Sequence, residues 1–151
     1  NRIIPDCIRA AYKSQEIIVR NPYSIRPYQH VLEPLYVYLM IAKAQCENIE
    51  FAGYYNVGPD ECDCITTGDL VDLFCKEWGN GQAWKNVCNQ GPHEAQFLKL
   101  DCSKLKNTFG WGPRWQITEA VVKTVEWAKV YEQNDSIVDC MEKQIRLFML
   151  G

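Results

Sequence analysis

The sequence lacks most of the short motifs by which enzymes are recognised. It has no G-x-G-x-x-G or G-x-x-x-x-G-K-[ST] phosphate loop and no G-x-S-x-G nucleophile elbow. No tyrosine is followed four residues later by a lysine, so a Tyr/Lys proton-transfer pair at that spacing is absent. With only two histidines, a histidine-based metal site would need other ligands, and no spacing indicates one. The residues alone therefore predict neither a catalytic group nor a metal ligand in this chain.

Long apolar runs and an excess of basic residues are also missing. The longest apolar stretch, around residues 35–42, is too short to span a bilayer. A net charge of −3 argues against a nucleic-acid or anionic-membrane surface, because phosphates favour clustered Lys and Arg. The 47% hydrophobic and 23% charged contents are typical of a soluble globular protein, and 151 residues predict a single domain.

The cysteines are numerous, with eight in the chain. Four of them, Cys7, Cys46, Cys75 and Cys140, lie within apolar stretches of helical character, where a free thiol behaves as a small hydrophobic residue. We therefore expect reduced cysteines in a cytosolic protein rather than a disulfide framework. The pair in "CDC" (62–64) supplies too few ligands for a zinc site.

Hydrophobic periodicity predicts about six helices mixed with four short strands. The strands are expected at residues 16–20, 51–58, 83–87 and 94–100. They do not alternate with helices as a complete doubly wound sheet requires, so the pattern predicts a mixed, helix-dominated α/β or α+β fold.

Four details of the helices can be tested. The helix at 32–46 is apolar nearly all round and should be buried. Thr66 or Thr67 should begin the next helix, with Leu70, Val71, Phe74 and Trp78 on one face and Gly79 at its end. Thr118 should cap a later helix that has Val121, Thr124, Val125, Ala128 and Tyr131 on one face and Glu119–Lys123 and Glu126–Lys129 pairs on the other. The last helix, from about Ser136, should turn Ile137, Met141, Ile145 and Phe148 inward.

Several polar residues in loops are candidates for ligand binding. Arg26, Gln29 and His30 lie together in "IRPYQHVLEP" (25–34), and His93 and Glu94 lie in "GPHEAQ" (91–96). An arginine can bind a phosphate through two hydrogen bonds at once. The alternative is that Arg26 pairs with a carboxylate and His30 caps the following helix, and the residues alone leave both interpretations open.

Longer stretches of the sequence resemble one family. They are "RIIPDCIRA", "VRNPYSIRPYQHVLEPLYVYL", "YNVGPDE", "PHEAQFLKLDCSKLKNTFGWGPRW" and "TVEW". Together they are similar to the C-terminal half of CDP-glucose 4,6-dehydratases, which are extended short-chain dehydrogenases/reductases. The stretches "RPYQHVLEPL" and "HEAQFLKLDCSK" are the specific part of the resemblance, whereas "GWGPRWQITEAVVKTVEW" is shared in outline by nucleotide-sugar epimerases and dehydratases generally.

The resemblance implies a function that the pattern of residues does not supply. Such enzymes use bound NAD to convert CDP-glucose into a 4-keto-6-deoxy sugar nucleotide, a precursor of deoxysugars in surface polysaccharides, and are typically cytoplasmic homodimers. It implies that residues 1–151 are the nucleotide-sugar-binding region of an extended Rossmann-type enzyme with only part of its sheet. The NAD-binding half, with the glycine-rich loop and the Tyr-x-x-x-Lys pair, would precede Asn1, so this region would hold no catalytic residue, bind no NAD by itself and be inactive alone.

The resemblance also implies roles for individual residues. Arg26 would reach the diphosphate or ribose, Glu94 would bind ribose hydroxyls, and Asn1 and Arg2 would begin the segment along the diphosphate. Gln29, His30 and His93 are candidates for the edge of the pocket. Two alternatives remain: a non-catalytic module that binds CDP-sugars, and the same region of an epimerase or dehydratase acting on another nucleotide sugar. A region separated from its other half should be marginally stable or self-associate through the exposed interface.

Overall fold

The computed structural model describes residues 2–87 and 97–151. Six α-helices occur in these ranges. They are α1 (Ile3–Tyr12), α2 (Leu32–Glu47), α3 (Thr67–Trp78), α4 (Ser103–Phe109), α5 (Ile117–Glu132) and α6 (Ile137–Leu150). Two 3-10 turns, Ile49–Phe51 and Glu61–Asp63, lie between α2 and α3. The helix-dominated α/β character predicted from the sequence is confirmed.

Four three-residue strands form two small sheets in the described part of the chain. They are β1 (Ile17–Val19), β2 (Ile25–Pro27), β3 (Cys64–Thr66) and β4 (Trp84–Asn86). Strand β1 pairs in parallel with β4, and β2 pairs antiparallel with β3, with Arg26 opposite Ile65. A single parallel bridge joins Ile25 to Phe97.

The main core lies where α1, β1, α3 and α5 meet. Its fully buried members include Ile17 of β1, Val71 and Phe74 of α3, and Val125 of α5. The predicted apolar face of α3 is confirmed, since Leu70, Val71, Phe74 and Trp78 are all buried. Each element contributes one apolar side to this core, so burial of that side rather than the short strands holds the fold together.

A second, smaller cluster packs beneath α2. Val37, Leu105 and Trp111 are buried there, and Tyr55 and Phe109 pack against them. Gly110 ends α4 in the left-handed conformation (φ 62°), which glycine adopts without steric cost. This cluster fixes α2 against α4 and thereby positions the residues that precede α2.

The start of α3 carries a complete capping box. Thr66 Oγ1 accepts from the backbone N–H of Asp69 at 3.0 Å, and Asp69 Oδ2 accepts from the backbone N–H of Thr66 at 3.3 Å. Gly79 follows the last helical residue with a positive φ of 76°. The predicted beginning and end of this helix are both confirmed.

The capping box gives a stability prediction. Thr66→Ala should lower the free energy of unfolding by about 1 kcal/mol, because it leaves the N–H of Asp69 without its acceptor. Urea denaturation would measure the loss. The matched control is Thr118→Ala, since Thr118 is exposed in the first turn of α5 and the cap residue Gln116 makes no side-chain cap bond. Equal losses for the two variants would contradict this assignment.

Three sequence predictions about elements are wrong. Residues 51–58 form no strand: their first residue ends a 3-10 turn, and no strand in the described residues pairs with the rest. Thr118 does not cap α5, which begins one residue earlier at Ile117. Conversely, β2 and β3 fall in segments expected to be loops. The strand expected at 94–100 lies partly outside the described residues, and its described part contributes only the bridge at Phe97.

Helix faces also depart from prediction. In α2 only Glu33 and Val37 are buried, whereas Tyr38 and Leu39 are 61% and 72% exposed. In α6 the buried side chains are Cys140, Gln144 and Phe148, and the expected inward residues Met141 and Ile145 are exposed. Tyr131 of α5 is exposed as well, and Glu126 pairs with Lys143 rather than with Lys129. The expected Glu119–Lys123 pair is present at 3.3 Å.

The cysteines in the described residues are all free thiols. Cys7, Cys102 and Cys140 are buried, and burial raises the pKa of the Cys7 thiol to about 12. Neither residues 2–87 nor residues 97–151 contain a group of three His, Cys, Asp or Glu suited to a metal ion. Among the described helices, none has the length and apolar character needed to cross a bilayer.

Candidate functional site

A polar cleft of about 640 Å³ opens between α1, β1 and β2. The outer side of α1, the end of β1 and the chain leading through β2 form its walls. Its ionisable lining residues are Asp6, Arg9, Lys13, Glu16, Arg20 and Arg26. Among the candidate binding residues that the structure describes, Arg26 is the one that lines this cleft.

Among the described residues, four basic side chains and two acidic ones line the cleft, so the charge of this part of the lining is positive. Both carboxylates are already paired: Asp6 with Arg9 in the next turn of α1, and Glu16 with Lys85 of β4 at 2.9 Å. Lys13 and Arg20 add further positive charge to the lining. A lining of this kind favours an anionic ligand.

Three hydroxyl groups are linked at the side of the cleft. Thr67 Oγ1 lies 2.9 Å from Ser24 Oγ and 2.8 Å from the hydroxyl of Tyr28. Ser24 and Thr67 are buried. Ser24 Oγ also donates to the carbonyl of Asn21. This network joins the segment that precedes α2 to the first residue of α3, so the chain on either side of Arg26 is held by α3.

Backbone hydrogen bonds strengthen the same junction. The N–H of Thr67 donates to Ser24 O at 2.9 Å, and the N–H of Gly68 donates to Pro22 O at 2.8 Å. A Cβ on Gly68 would lie 3.2 Å from that carbonyl oxygen, which is tighter than an ordinary contact. Glycine at position 68 therefore permits the close approach that positions β2 beside the cleft.

Arg26 is the central residue of β2 and is half-buried. One guanidinium nitrogen, Nη1, donates to the carbonyl of Ile25 at 2.9 Å. Strand β2 pairs with β3 at Arg26 and at its two neighbours, Ile25 and Pro27, and this pairing fixes the backbone of Arg26. A side chain on a paired strand is held more precisely than one on a loop, which suits a residue that contacts a ligand.

Gln29 and His30 lie away from this cleft, beside the start of α2. Gln29 donates from Nε2 to Val57 O at 3.3 Å, and its Oε1 is buried without a partner among the described residues. His30 is 9% exposed, and its Nδ1 accepts from the backbone N–H of Leu32 at 3.2 Å. Its ring packs edge-on against the ring of Trp115, with 4.9 Å between the two ring centroids. His30 thus holds the start of α2, and its role as a pocket-edge residue stays a prediction.

Burial keeps the His30 ring neutral. Loss of hydration and, to a smaller extent, the nearby charge of Lys123 together lower its pKa from 6.5 to about 4. A neutral ring is also required for Nδ1 to accept the Leu32 hydrogen bond. At neutral pH this histidine therefore carries no positive charge toward an anionic ligand.

Glu33 anchors the loop that follows α4. Its side chain is fully buried, and Oε1 accepts from the backbone N–H groups of Arg114 and Trp115, both at 2.8 Å. Burial raises the pKa of this carboxyl group, although the two N–H bonds and the charge of Arg114 act against the shift. The Arg114 guanidinium in turn lies over the Tyr36 ring, with 4.4 Å between Cζ and the ring centroid. Its Nη1 donates to the carbonyl oxygen of Phe148 at 2.8 Å. The start of α2 is thereby tied to the end of α6.

Four candidate binding residues remain, and the structure describes one of them. Arg2 precedes α1 and is exposed, and its carbonyl accepts from the N–H of Asp6. Asn1, His93 and Glu94 lie outside the described residues. The proposed ligand roles of these four residues stay predictions.

The chain is 40% identical over 150 residues to the CDP-glucose 4,6-dehydratase of Salmonella typhimurium (strain LT2). The alignment covers 99% of this chain and 42% of that enzyme. The resemblance predicted from the sequence is confirmed. The chain thus spans less than half the length of this dehydratase. No protein-family model matches it.

Two solved structures share the fold. The dTDP-glucose 4,6-dehydratase from Bacillus anthracis str. Ames, solved in complex with NAD, superposes with a TM-score of 0.68 and 16% identity over 87% of this chain and 40% of that one. The UDP-N-acetylglucosamine 4-epimerase from Bacillus cereus superposes with a TM-score of 0.65 and 17% identity over 85% of this chain and 43% of that one. The chain has the fold of the C-terminal part of such dehydratases and epimerases, as the resemblance implied.

Several cleft residues were not among the sequence candidates. Arg20 directly follows the β-branched run of β1, and its position at the end of a strand is a signal that sequence reasoning could have used. Arg9 lies on the polar side of the amphipathic α1 and Lys13 directly follows that helix, and a basic residue is ordinary at both positions. Ser24 and Thr67 are 43 residues apart, and no local pattern joins them.

Proposed function

We propose that this chain is the nucleotide-sugar-binding part of a CDP-glucose 4,6-dehydratase. The observation that carries the proposal is the 40% identity to such an enzyme across 99% of the chain. The positive cleft beside Arg26 is compatible with it, because a CDP-sugar is held chiefly through its diphosphate. The parent protein would convert CDP-glucose into CDP-4-keto-6-deoxyglucose in the cytoplasm and act as a homodimer.

The chemistry of the parent would be divided between two regions. NAD, which would be bound mainly by a region outside this chain, would supply the hydride-transfer chemistry of the reaction. The residues of this chain would bind and orient the nucleotide. Arg26 would contact the diphosphate or ribose, with Lys13 and Arg20 adding positive charge. Glu94 would bind ribose hydroxyls.

The exposed side of α2 fits a division into two regions. Leu35, Tyr38 and Leu39 are spaced so that they share one side of this helix, and all three are exposed. Residues 54–58 have a strand-like composition but no strand partner in the described chain. We propose that the NAD-binding half of the parent covers this side of α2 and supplies the missing strand partner.

The proposal is tested by nucleotide binding to the complete protein. Calorimetric titration should show that Arg26→Ala weakens CDP-glucose binding by about 1.5–3 kcal/mol, which is about 10- to 150-fold in Kd. Arg26→Lys should lose less, because it keeps the charge but not the two-point contact. Lys76→Ala, an exposed basic residue of α3 outside the cleft lining, is the matched control and should leave Kd unchanged. An unchanged Kd for Arg26→Ala would assign Arg26 a structural role.

Related nucleotide sugars give a second candidate function. The two solved structures of the same fold are named for dTDP-glucose and UDP-N-acetylglucosamine, so this fold also occurs in enzymes named for other nucleotides. Competition among CDP, UDP and GDP for the complete protein separates the candidates. If CDP bound no better than the others, the assignment to CDP-glucose would be wrong. CDP-sugar binding by a complete protein that turns over no substrate would favour a non-catalytic binding module.

A further inference from the structure

Helix α6 has a second apolar side that faces solvent. Its buried side consists of Cys140, Gln144 and Phe148. Besides Leu147 and Leu150, four exposed apolar residues of α6 are spaced three, four and four apart, which places these four along one side of the helix. They are Val138, Met141, Ile145 and Met149, with exposures of 65%, 47%, 44% and 55%. We call these four residues the α6 stripe.

The α6 stripe borders an apolar groove of about 230 Å³. Its lining includes Met141 and Ile145 of α6, Trp127 of α5 and Val31 at the start of α2. Val31 is itself 61% exposed. The stripe and the groove together form a continuous apolar surface, which a soluble protein usually covers with a partner.

Charged residues beside the stripe indicate which partner fits. Asp139 and Glu142 lie in the first half of α6, Lys143 lies at its middle, and Arg146 lies in the second half. Lys143 is engaged by Glu126 of α5 at 2.8 Å. The side chains of Glu142 and Arg146 are 60% and 78% exposed. Their ion pair within α6 is loose, because 3.6 Å separates Glu142 Oε2 from Arg146 Nη2. A parallel copy of the helix would bring like charges together, whereas an antiparallel copy brings opposite charges together.

We propose that α6 packs antiparallel against α6 of a second copy of this chain. In this register Met141 lies opposite Ile145 of the second copy, and Val138 lies opposite Met149 of the second copy. Glu142 then faces Arg146 of the second copy, and the two-fold axis repeats each contact. None of the four stripe residues lines the cleft or belongs to the exposed side of α2 that the NAD-binding half would cover.

The contact should be weak. A single pair of four-turn helices buries less area than the roughly 1,200 Å² of stable interfaces, so association should depend on protein concentration. The apolar stripe should supply most of the attraction, since exposed ion pairs contribute little. The ion pairs should instead select the antiparallel orientation.

Charge reversal provides a specific test by sedimentation of the complete protein over a range of concentrations. Glu142→Arg and Arg146→Glu should each weaken association by about tenfold, because the two-fold axis places two like-charged pairs in the interface. An equimolar mixture of the two variants should associate about as well as the unmodified protein. In that mixture every Arg faces a Glu across the interface, although each chain keeps its like charges within α6.

The stripe itself is tested by Ile145→Glu, which should abolish the concentration-dependent step. The matched control is Ile49→Glu in the 3-10 turn after α2, where the isoleucine is 77% exposed and far along the chain from α6. Circular dichroism checks that each variant is folded, and CDP binding should be unchanged in all of them. This readout separates failure of the interface from failure of the proposed nucleotide site.

Three results would overturn the inference. One is a mass that is independent of concentration in the unmodified protein. Another is a mixture that associates no better than the single variants. The third is a large fall in melting temperature for Ile145→Glu with no change in mass, which would show that another part of the same chain covers the stripe.

Discussion

Glu33→Ala should lower the free energy of unfolding by about 2–5 kcal/mol. The change removes the one acceptor that serves the backbone N–H groups of both Arg114 and Trp115. Each buried donor left without a partner costs about 1–3 kcal/mol. Because the Glu33 side chain is fully buried, its loss also leaves a void beneath α2. Urea unfolding followed by tryptophan fluorescence would measure the effect.

Two further variants define the cause. Glu33→Gln keeps an acceptor oxygen and should lose less than half as much stability as Glu33→Ala. Glu119→Ala removes a half-exposed carboxylate that pairs with Lys123, and should cost less than about 1 kcal/mol. A loss below about 0.5 kcal/mol for Glu33→Ala would show that the loop at 112–116 is held by other contacts.

Acidification from pH 6.5 to pH 4 should cost roughly 3 kcal/mol of stability through His30 alone. The pKa of His30 is about 4 in the folded protein and 6.5 when solvated. Between these values the unfolded chain binds a proton that the folded chain excludes. The contribution of the neutral ring is therefore complete above pH 6.5 and is lost as the pH falls toward 4.

The measurement is the difference in unfolding free energy between the unmodified protein and His30→Asn at several pH values. Asparagine can still accept from the N–H two residues later, so the start of α2 keeps its hydrogen bond. The difference should shrink as the pH falls. Protonation of His93 and of the carboxylates affects both proteins alike, so it cancels in the difference. Glu33 acts with the opposite sign: its raised pKa gives stability at low pH that is lost as the pH rises through that pKa. A difference independent of pH would contradict the assignment to His30.

Local signals in the sequence predicted the elements that depend on local contacts. Thr66 and Gly79 bound α3 because a capping box and a positive-φ glycine act within one turn. Ser136 begins α6 for the same reason, since its hydroxyl accepts from the N–H of Asp139. Such features require no knowledge of the rest of the fold.

Predictions that depended on distant contacts were less accurate. Strands β2 and β3 pair across a long separation in sequence, and neither segment has the alternation of a longer strand. Residues 51–58 have a strand-like composition, but a strand requires a partner, and none is present in the described chain. In α6 two apolar sides compete for burial. Gln144 decides the outcome by donating to Lys123 O and Glu126, which the spacing of apolar residues cannot reveal.

The candidate site divides in the same way. Arg26 was predicted because it stands in a stretch that resembles a family acting on anionic substrates, and it lines the positive cleft, while its ligand role stays a prediction. Lys13 and Arg20 were missed because they reach that cleft only after α1 and β1 have packed together. His30 shows the converse. It lies in the same stretch, but its Nδ1 accepts from the backbone N–H of Leu32 at the start of α2, away from the cleft.

The main core also limits when the protein can fold during synthesis, because it needs both α1 and α5. The Tyr12 hydroxyl of α1 donates to the Ala128 carbonyl of α5, 116 residues later. At about 5–20 residues per second, α5 leaves the ribosome about 6–23 s after α1. During that interval the apolar side of α1 has no α5 to pack against. This region should therefore complete its core only near the end of its own translation.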